Sequence, residues 1–480
     1  MYRIFLTLAL LWSTPSAPAQ QTGRSEKHGD GTSRNEVLMS NDPDSDDRVS
    51  SDVDAPEPRP HVRVSTVATN GMPKDIVKRG STWNFGPGSL WTHNGWQYAA
   101  YWDDQCQVSV ARRQLPKGAW SVISLPGYKR TENIDRGKAG PKSQGFGDSH
   151  EKVAMGISAD GVIHLAFDHH VSTLHYRRSK TSVATHPMLH PWTTDLFEPV
   201  KDHLGGPTIE AVTYPCFTRD GDRLLLYLRL NGGSGSADSH FFEYANGQWQ
   251  INDFDASKLI DKHWSGGNGT VNAYPHGLIV RDGRRHLTWC WRDTPVASTC
   301  HDLCYAYSDD HGKTWLNNDG VLIGVLGKQF INADSPGVAV FRIPPGTRYQ
   351  NGGSMTVDAR GRVHVLMRGE DGQPAYFQRD PGTKQWTRGK TDVLGTLVAG
   401  DHDRLYVVAD GNVLFAPAED PSKLSVRYTG NESLFTDSKP SVDAMCGDLD
   451  RWISVIGQSG TTVSVADYDV AENDVSDSQP

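Results

Sequence analysis

Short runs in which apolar and polar residues alternate, each opened by a glycine-containing turn, recur along most of the chain. Five show the plan most clearly: Asn94-Gly95-Trp96-Gln97-Tyr98, Asp160-Gly161-Val162-Ile163-His164-Leu165-Ala166-Phe167, Asp220-Gly221-Asp222-Arg223-Leu224-Leu225-Leu226-Tyr227, Asp282-Gly283-Arg284-Arg285-His286-Leu287-Thr288-Trp289, and Arg360-Gly361-Arg362-Val363-His364-Val365-Leu366. A period of two sends successive side chains to opposite faces of a strand, and glycine supplies the positive φ of a tight turn. Copies return every ~60 to 80 residues, the size of a four-stranded unit with long loops. Trp120, Trp249, Trp315 and Trp386 each follow a glycine-containing turn, as aromatics closing such units would. Helical periodicity is hard to find anywhere. The expected fold is therefore all-β, a single β-propeller of roughly six or seven blades, each a four-stranded antiparallel sheet.

Composition agrees, and the chain ends add boundaries. Of 480 residues, 48 are Gly and 14 Trp against 8 Met and 6 Cys, a balance suited to turn-rich sheets. Arg3, an apolar run over residues 4–12 and the small-x-small triplet Ala17-Pro18-Ala19 predict a signal peptide at 1–19. The run is too short to span a bilayer. Residues 20–62, rich in Asp, Ser, Pro and Gly, predict a disordered acidic leader, because such a segment buries too little surface to offset ordering entropy. The propeller is expected over 63–470 and an acidic tail over 471–480. Leader and tail carry most of the formal charge of −9, which leaves the folded body near about −2 and permits a basic cleft.

One hairpin stands out. Ser308-Asp309-Asp310-His311-Gly312-Lys313-Thr314-Trp315 fits S-x-D-x-G-x-T-W throughout and resembles the Asp-box of sialidase-like propellers. In that motif the Asp satisfies turn amides, Gly provides a positive φ, and Trp packs beneath. It is a structural signature and implies no particular chemistry.

Three regions hold polar residues that a strand-and-turn scaffold does not require. The first runs through Asp148-Ser149-His150, Asp168-His169-His170 and Leu174-His175-Tyr176-Arg177-Arg178-Ser179. The second joins Thr213-Tyr214-Pro215 to Leu228-Arg229-Leu230-Asn231-Gly232-Gly233-Ser234-Gly235. The third comprises Asn272-Ala273-Tyr274-Pro275-His276-Gly277, Trp289-Cys290-Trp291-Arg292-Asp293 and His301-Asp302-Leu303-Cys304-Tyr305. Taken in order, the three resemble the Asp-box-containing propellers that include the ulvan lyases, best over 150–315. The resemblance implies a secreted, seven-bladed enzyme that cuts a sulfated polymer of rhamnose and uronic acid by β-elimination.

That chemistry explains the residue types. A lyase removes the poorly acidic C5 proton of a uronate while the C4 oxygen departs, so a cation must neutralise the carboxylate, a base must take the proton and an acid must protonate the leaving group. Arg229 is the candidate cation, since guanidinium meets carboxylate in a bidentate fork. His150 and His170 match the histidines of the lyase pattern. Imidazole titrates near working pH, and His150 is favoured as base with His170 positioning substrate, although the order could be reversed. Tyr214 matches the tyrosine that acts as acid. For substrate binding the resemblance and the neighbourhood suggest His169, His175, Arg177, Asn231 and Tyr274.

The cysteines raise a separate possibility. Cys290, Cys300 and Cys304 cluster with His276, His286 and His301. If adjacent strands set Cys290 beside Cys304, then His276, Cys290, His301 and Cys304 would suit a structural zinc ion. A Cys290–Cys304 or Cys290–Cys300 disulfide is the alternative. No organic cofactor is implied, since no phosphate-cradling glycine motif joins a strand to a helix. No basic run suggests nucleic acid, no later segment suggests a membrane partner, and a monomer is expected. Two rival functions stand beside the lyase: a sialidase-like glycoside hydrolase, for which Asp148, Glu151 and Asp168 could supply acids, and a non-catalytic carbohydrate-binding propeller presenting Trp83, Trp91 and Trp102.

Overall fold

The alternating runs form antiparallel strands as the period of two requires. Ile163–Phe167 pairs with Val153–Ile157 and Tyr176–Arg178; Arg284–Arg292 pairs with Asn272–Arg281 and Cys300–Ser308. The computed structural model describes residues 61–471 except 74–84, 87, 131–149, 252–253, 350, 401–403, 417–422, 425–433, 444 and 446–450. All of them fall in the compact unit Pro56–Pro480. The expected signal peptide, nearly all of the leader and the tail lie outside the described residues, as do Trp83, Asp148 and Cys446.

The protein is all-β. Its described strands fall into six sheets, and helix is confined there to short 3-10 turns such as Pro187–Leu189 and Thr194–Leu196. Two four-stranded meanders follow chain order, Leu90–His93 to Ser121–Ser124 and Gly353–Val357 to Trp386–Lys390. A twelve-stranded sheet is two such groups, one around Val212–Asp220, Arg223–Gly233 and Ser236–Ala245, the other around Asn272–Arg281, Arg284–Arg292 and Cys300–Ser308. They are joined by a single parallel pairing of Ala237 with Asn272. The first strand, His61–Ala68, pairs not with its neighbour in sequence but with the last, Thr462–Asp469, so both ends of the sheet-forming chain share one sheet. Among the described residues no helix is long and apolar enough to cross a membrane.

The core lies between successive sheets. One apolar cluster links Tyr98 and Val110 to Ile163 and Leu165, and these to Leu224, Phe242 and Trp249. The Asp-box hairpin forms as its sequence predicts. Asp310 accepts from Thr314 N at 2.9 Å and Thr314 Oγ1 at 2.7 Å, Gly312 adopts φ +81°, and Trp315 Nε1 donates to Gly312 O at 2.9 Å.

Three of the recurring turn–strand stretches carry a histidine four positions after their glycine-preceding residue, and all three are interior. His164 Nδ1 lies 2.6 Å from Tyr176 Oη, His286 Nδ1 2.9 Å from Tyr305 Oη, and His364 Nδ1 2.7 Å from Tyr376 Oη. In each case the second strand reaches the third through a His–Tyr pair. Burial lowers both His164 and His286 to about 3, so these rings stay neutral and serve packing.

Candidate active site

The site is assembled by strand register at one end of the sheets. After Ile163–Phe167 the chain turns at Asp168, with φ +63°, and re-enters a short strand, His170–Ser172. That strand pairs with Val212–Asp220, setting His170 opposite Thr213, while Val171 N donates to Thr213 Oγ1 at 2.8 Å. Thr213 in turn lies opposite Arg229 on Arg223–Gly233. Beyond Thr213 the register slips, and Tyr214 sits in a bulge with φ +57°. Bulges re-aim side chains.

The result is one contiguous group. His150 and His170 stack with ring centroids 4.5 Å apart, and His150 lies 5.7 Å from the ring of Tyr214. The Arg229 guanidinium stands 4.7 Å over that ring, and the ring of Tyr274 is 6.1 Å from it. Arg229 Nη1 donates to Tyr274 Oη at 3.2 Å, Arg292 Nη1 donates to the same oxygen at 3.3 Å, and Ser234 Oγ lies 2.9 Å away. Arg292 Nη1 also donates to Asn351 Oδ1 at 3.3 Å.

Arg229 is the unusual member. It is 1% exposed, yet its Nε and Nη2 have no hydrogen-bond partner, and no carboxylate lies within ion-pair distance among the described residues. A buried guanidinium left unpaired costs several kcal/mol of hydration, roughly, unless an anion joins it. Backbone strain gathers here too: Asp168, Val171, Tyr214 and Asn231 all have φ between 57° and 63°. For valine and tyrosine that region is sterically costly, and such strain persists where function holds it.

Five of the expected residues thus meet: His150, His170, Tyr214, Arg229 and Tyr274. The others are engaged elsewhere. His169 is 1% exposed and its Nε2 accepts from His175 N at 2.8 Å, while the His175 ring packs 4.7 Å from that of Tyr128. Arg177 is buried and Nη2 donates to Pro126 O at 2.7 Å. Asn231 Nδ2 donates to Asp238 Oδ2 at 3.1 Å. These four brace the turns that present the cluster. Sequence reasoning passed over Arg292 and Ser234, which stood inside quoted motifs, and Asn351, which no motif marks. It also missed Tyr128, whose hydroxyl donates to the fully buried carboxylate of Asp168 and so anchors the turn leading to His170.

The four residues expected to hold zinc do not fit one ion. Trp289 pairs with Cys304, so both face one apolar layer, while the next residue, Cys290, faces the other beside Tyr274 and Tyr305. His301 stacks on Trp264, on the Cys304 side. His276 lies against Gly353 and Thr288, on the Cys290 side. A tetrahedral centre cannot draw two ligands from each face of a sheet. Among the described residues no group of three or more His, Cys, Asp or Glu is placed to hold a metal. Cys290 and Cys300 share one apolar cluster while Cys304 lies in another, and all three are free thiols.

His301 instead anchors charge. Its Nε2 lies 2.9 Å from Asp293 and its Nδ1 3.2 Å from Asp302. Burial opposes its ionisation, but those two carboxylates outweigh it and raise the group to about 9. A histidine raised in the folded state contributes stability that is complete below its unfolded value near ~6.5 and is lost as pH rises through about 9. Denaturant titrations at pH 6 and pH 10 are expected to show wild-type stability falling by up to about 3 kcal/mol, with the decline largely absent in His301→Gln.

A family model described as "BNR repeat-containing family member" matches residues 96–392. Among solved structures, a polysaccharide lyase, PL25 ulvan lyase, bound to -[GlcA(1-4)Rha3S]- superposes with TM-score 0.58 at 14% identity, covering 84% of this chain and 95% of that one. A second structure of a PL25 ulvan lyase gives the same values. A Trypanosoma rangeli sialidase is a weaker likeness, with TM-score 0.37 and 11% identity over 85% of this chain and 60% of the other. At these identities the likeness concerns the fold. No curated protein matches the sequence.

Proposed function

The chain belongs to the BNR repeat-containing family, and from that premise we propose that it is a secreted polysaccharide lyase cleaving ulvan, a sulfated rhamnose–uronate polymer, by β-elimination. The observation that carries this reading is Arg229, a fully buried guanidinium with two free donor nitrogens beside a tyrosine and a histidine pair. A uronate carboxylate supplies the missing partner. Once neutralised there, it can accept the charge that develops when C5 loses its proton. His150 takes that proton, the C5 electrons form the C4–C5 double bond, the C4–oxygen bond breaks, and Tyr214 donates its hydroxyl proton to the departing oxygen. His170, stacked on His150, holds that ring in place. C5 loses one proton and the leaving oxygen gains another; return of a proton from the His150 imidazolium to the Tyr214 phenolate restores both groups, and no water is consumed.

The hydrolase alternative has less support. Glu151 is ion-paired to Arg130 at 3.4 Å, and the Asp168 carboxylate is buried against Tyr128, so neither is a poised acid. A nucleophilic tyrosine beside an arginine cluster is the other hydrolase pattern, and Tyr274 Oη does meet Arg229, Arg292 and Ser234, but among the described residues no carboxylate hydrogen-bonds to it to act as its base. A mere binder could use Arg229 to hold a carboxylate, but it has no need of the stacked His150 and His170 rings or of Tyr214 beside it. For the scaffold, the twelve-stranded sheet counted as its two groups brings the described strand groups to seven. That count supports a single seven-bladed propeller, which we place over 63–470 and take to act as a monomer.

Digestion in heavy-oxygen water followed by mass spectrometry separates the readings. Elimination is expected to yield unlabelled fragments lighter by one water than hydrolysis products. Fragments carrying the heavy isotope at the new reducing end would establish hydrolysis and remove the assigned roles.

A further inference from the structure

Arg229 is the first of three arginines at matching places. Arg229 lies opposite Thr213, the second residue of Val212–Asp220. Arg292 lies opposite Asn272, the first residue of Asn272–Arg281. Arg368 follows directly on the pairing of Met367 with Gly353, the first residue of Gly353–Val357. Each arginine therefore leaves the same end of the second strand in its group. The first strands of these groups pack side by side, Val212–Asp220 against Asn272–Arg281 and that against Gly353–Val357. The arginines form a row, one per group, leading away from His150 and Tyr214.

The row ends at a pocket of about 610 Å³ lined by Ser298, Thr347, Arg348, Tyr349, Arg368 and Gln373. It adjoins the cluster through the chain. Asn351, bonded to Arg292, is two residues beyond Tyr349, and its side-chain oxygen also meets the thiol of Cys300, two residues beyond Ser298. Arg348 N donates to Glu370 O at 2.9 Å, fastening its loop to the Arg368 hairpin. Among the described residues neither Arg348 nor Arg368 has a carboxylate within ion-pair distance; Arg368 Nη1 donates to Gly372 O at 2.8 Å. Asp371 also lines the pocket, but its Oδ1 accepts from Gln373 N at 2.9 Å. By contrast Arg388, two strands away in the same sheet, is paired with Glu370.

We propose that this pocket is a second anion subsite, in which Arg348 and Arg368 hold a sulfate ester or carboxylate of the polymer some sugars away from the cleaved bond, with Arg292 bridging the path from Arg229. The inference rests on the reading of the substrate as an acidic polysaccharide. Guanidinium forks suit either oxyanion, and hydroxyl and amide groups from Ser298, Thr347 and Gln373 complete a polar lining. Binding energy gathered here is uniform between ground and transition states, so the subsite sets KM and leaves kcat nearly unchanged.

The test uses the full chain and Arg348→Ala/Arg368→Ala, checked for an unchanged melting temperature, with ulvan and with its desulfated and carboxyl-reduced forms. Calorimetric binding is expected to weaken about tenfold or more on ulvan in the double variant, with a shallower salt dependence, and Arg348→Lys/Arg368→Lys to restore part of the loss. If the loss vanishes on desulfated polymer the ligand is sulfate; if it vanishes on carboxyl-reduced polymer it is carboxylate. Equal affinity of wild type and double variant for ulvan, or an equal loss on all three polymers, would overturn the subsite. Calorimetry is run with Tyr214→Phe as background so that binding is read without appreciable turnover, and if the pocket binds in this way while the protein with Tyr214 intact produces no unsaturated ends, the lyase reading alone is sunk. Unsaturated ends formed with unchanged KM in the double variant sink the subsite alone.

Discussion

Arg229→Met is expected to lower kcat/KM on ulvan by about 10³-fold or more while leaving the protein as stable as wild type or more so. The two halves of that result come from one fact: the guanidinium is buried without an anion. In the free protein it pays a desolvation cost with only a hydrogen bond to Tyr274 and a contact with the Tyr214 ring in return, so an apolar side chain of similar length relieves a cost and makes no cavity. In the reacting complex it is the charge that lets the carboxylate accept electrons from C5, and removal of one such electrostatic contact costs about 10²–10³ in rate even for a neutral donor. Arg229→Lys keeps the charge but loses the fork, and should retain only a small part of the activity. Melting curves beside initial rates check both halves. A variant that is active but destabilised would mark Arg229 as structural.

Tyr214→Phe carries the second large effect. It removes one oxygen from a ring whose contacts with His150 and Arg229 are through its faces and edges, so the cluster should stand. General acid catalysis contributes about 10²–10⁴, and kcat is expected to fall within that range with KM little changed. The backbone at Tyr214 is held at φ +57° by the bulge after Thr213, and phenylalanine tolerates that no worse than tyrosine. A parallel fall in KM and kcat with altered melting would show that the hydroxyl served packing instead.

Much of this was legible in the residues because the physics is local. Glycine turns followed by alternating strands give antiparallel sheets wherever they occur, and Ser308 to Trp315 makes its hairpin from its own side chains. His150, His170, Tyr214 and Arg229 stood out because a scaffold has no need of them. What the sequence hid is which face a residue takes. His276, Cys290, His301 and Cys304 are near in sequence yet divide between two faces, since one position along a strand reverses the side chain. His169 and Arg177 carry polar groups that look free on paper, but the turn at Asp168 faces them inward to brace its own loop. Arg292 and Asn351 join the site through tertiary pairing alone, from positions 59 residues apart. The merger of two strand groups through Ala237 and Asn272 likewise has no sequence marker.

The most direct test of the account is absorbance near about 235 nm, where a conjugated uronate absorbs, as the purified protein meets ulvan, with Arg229→Met and Tyr214→Phe alongside. A steady rise with wild type that is lost in both variants is the predicted result. New reducing ends without that rise, or a rise that survives in Arg229→Met, would contradict elimination at this cluster.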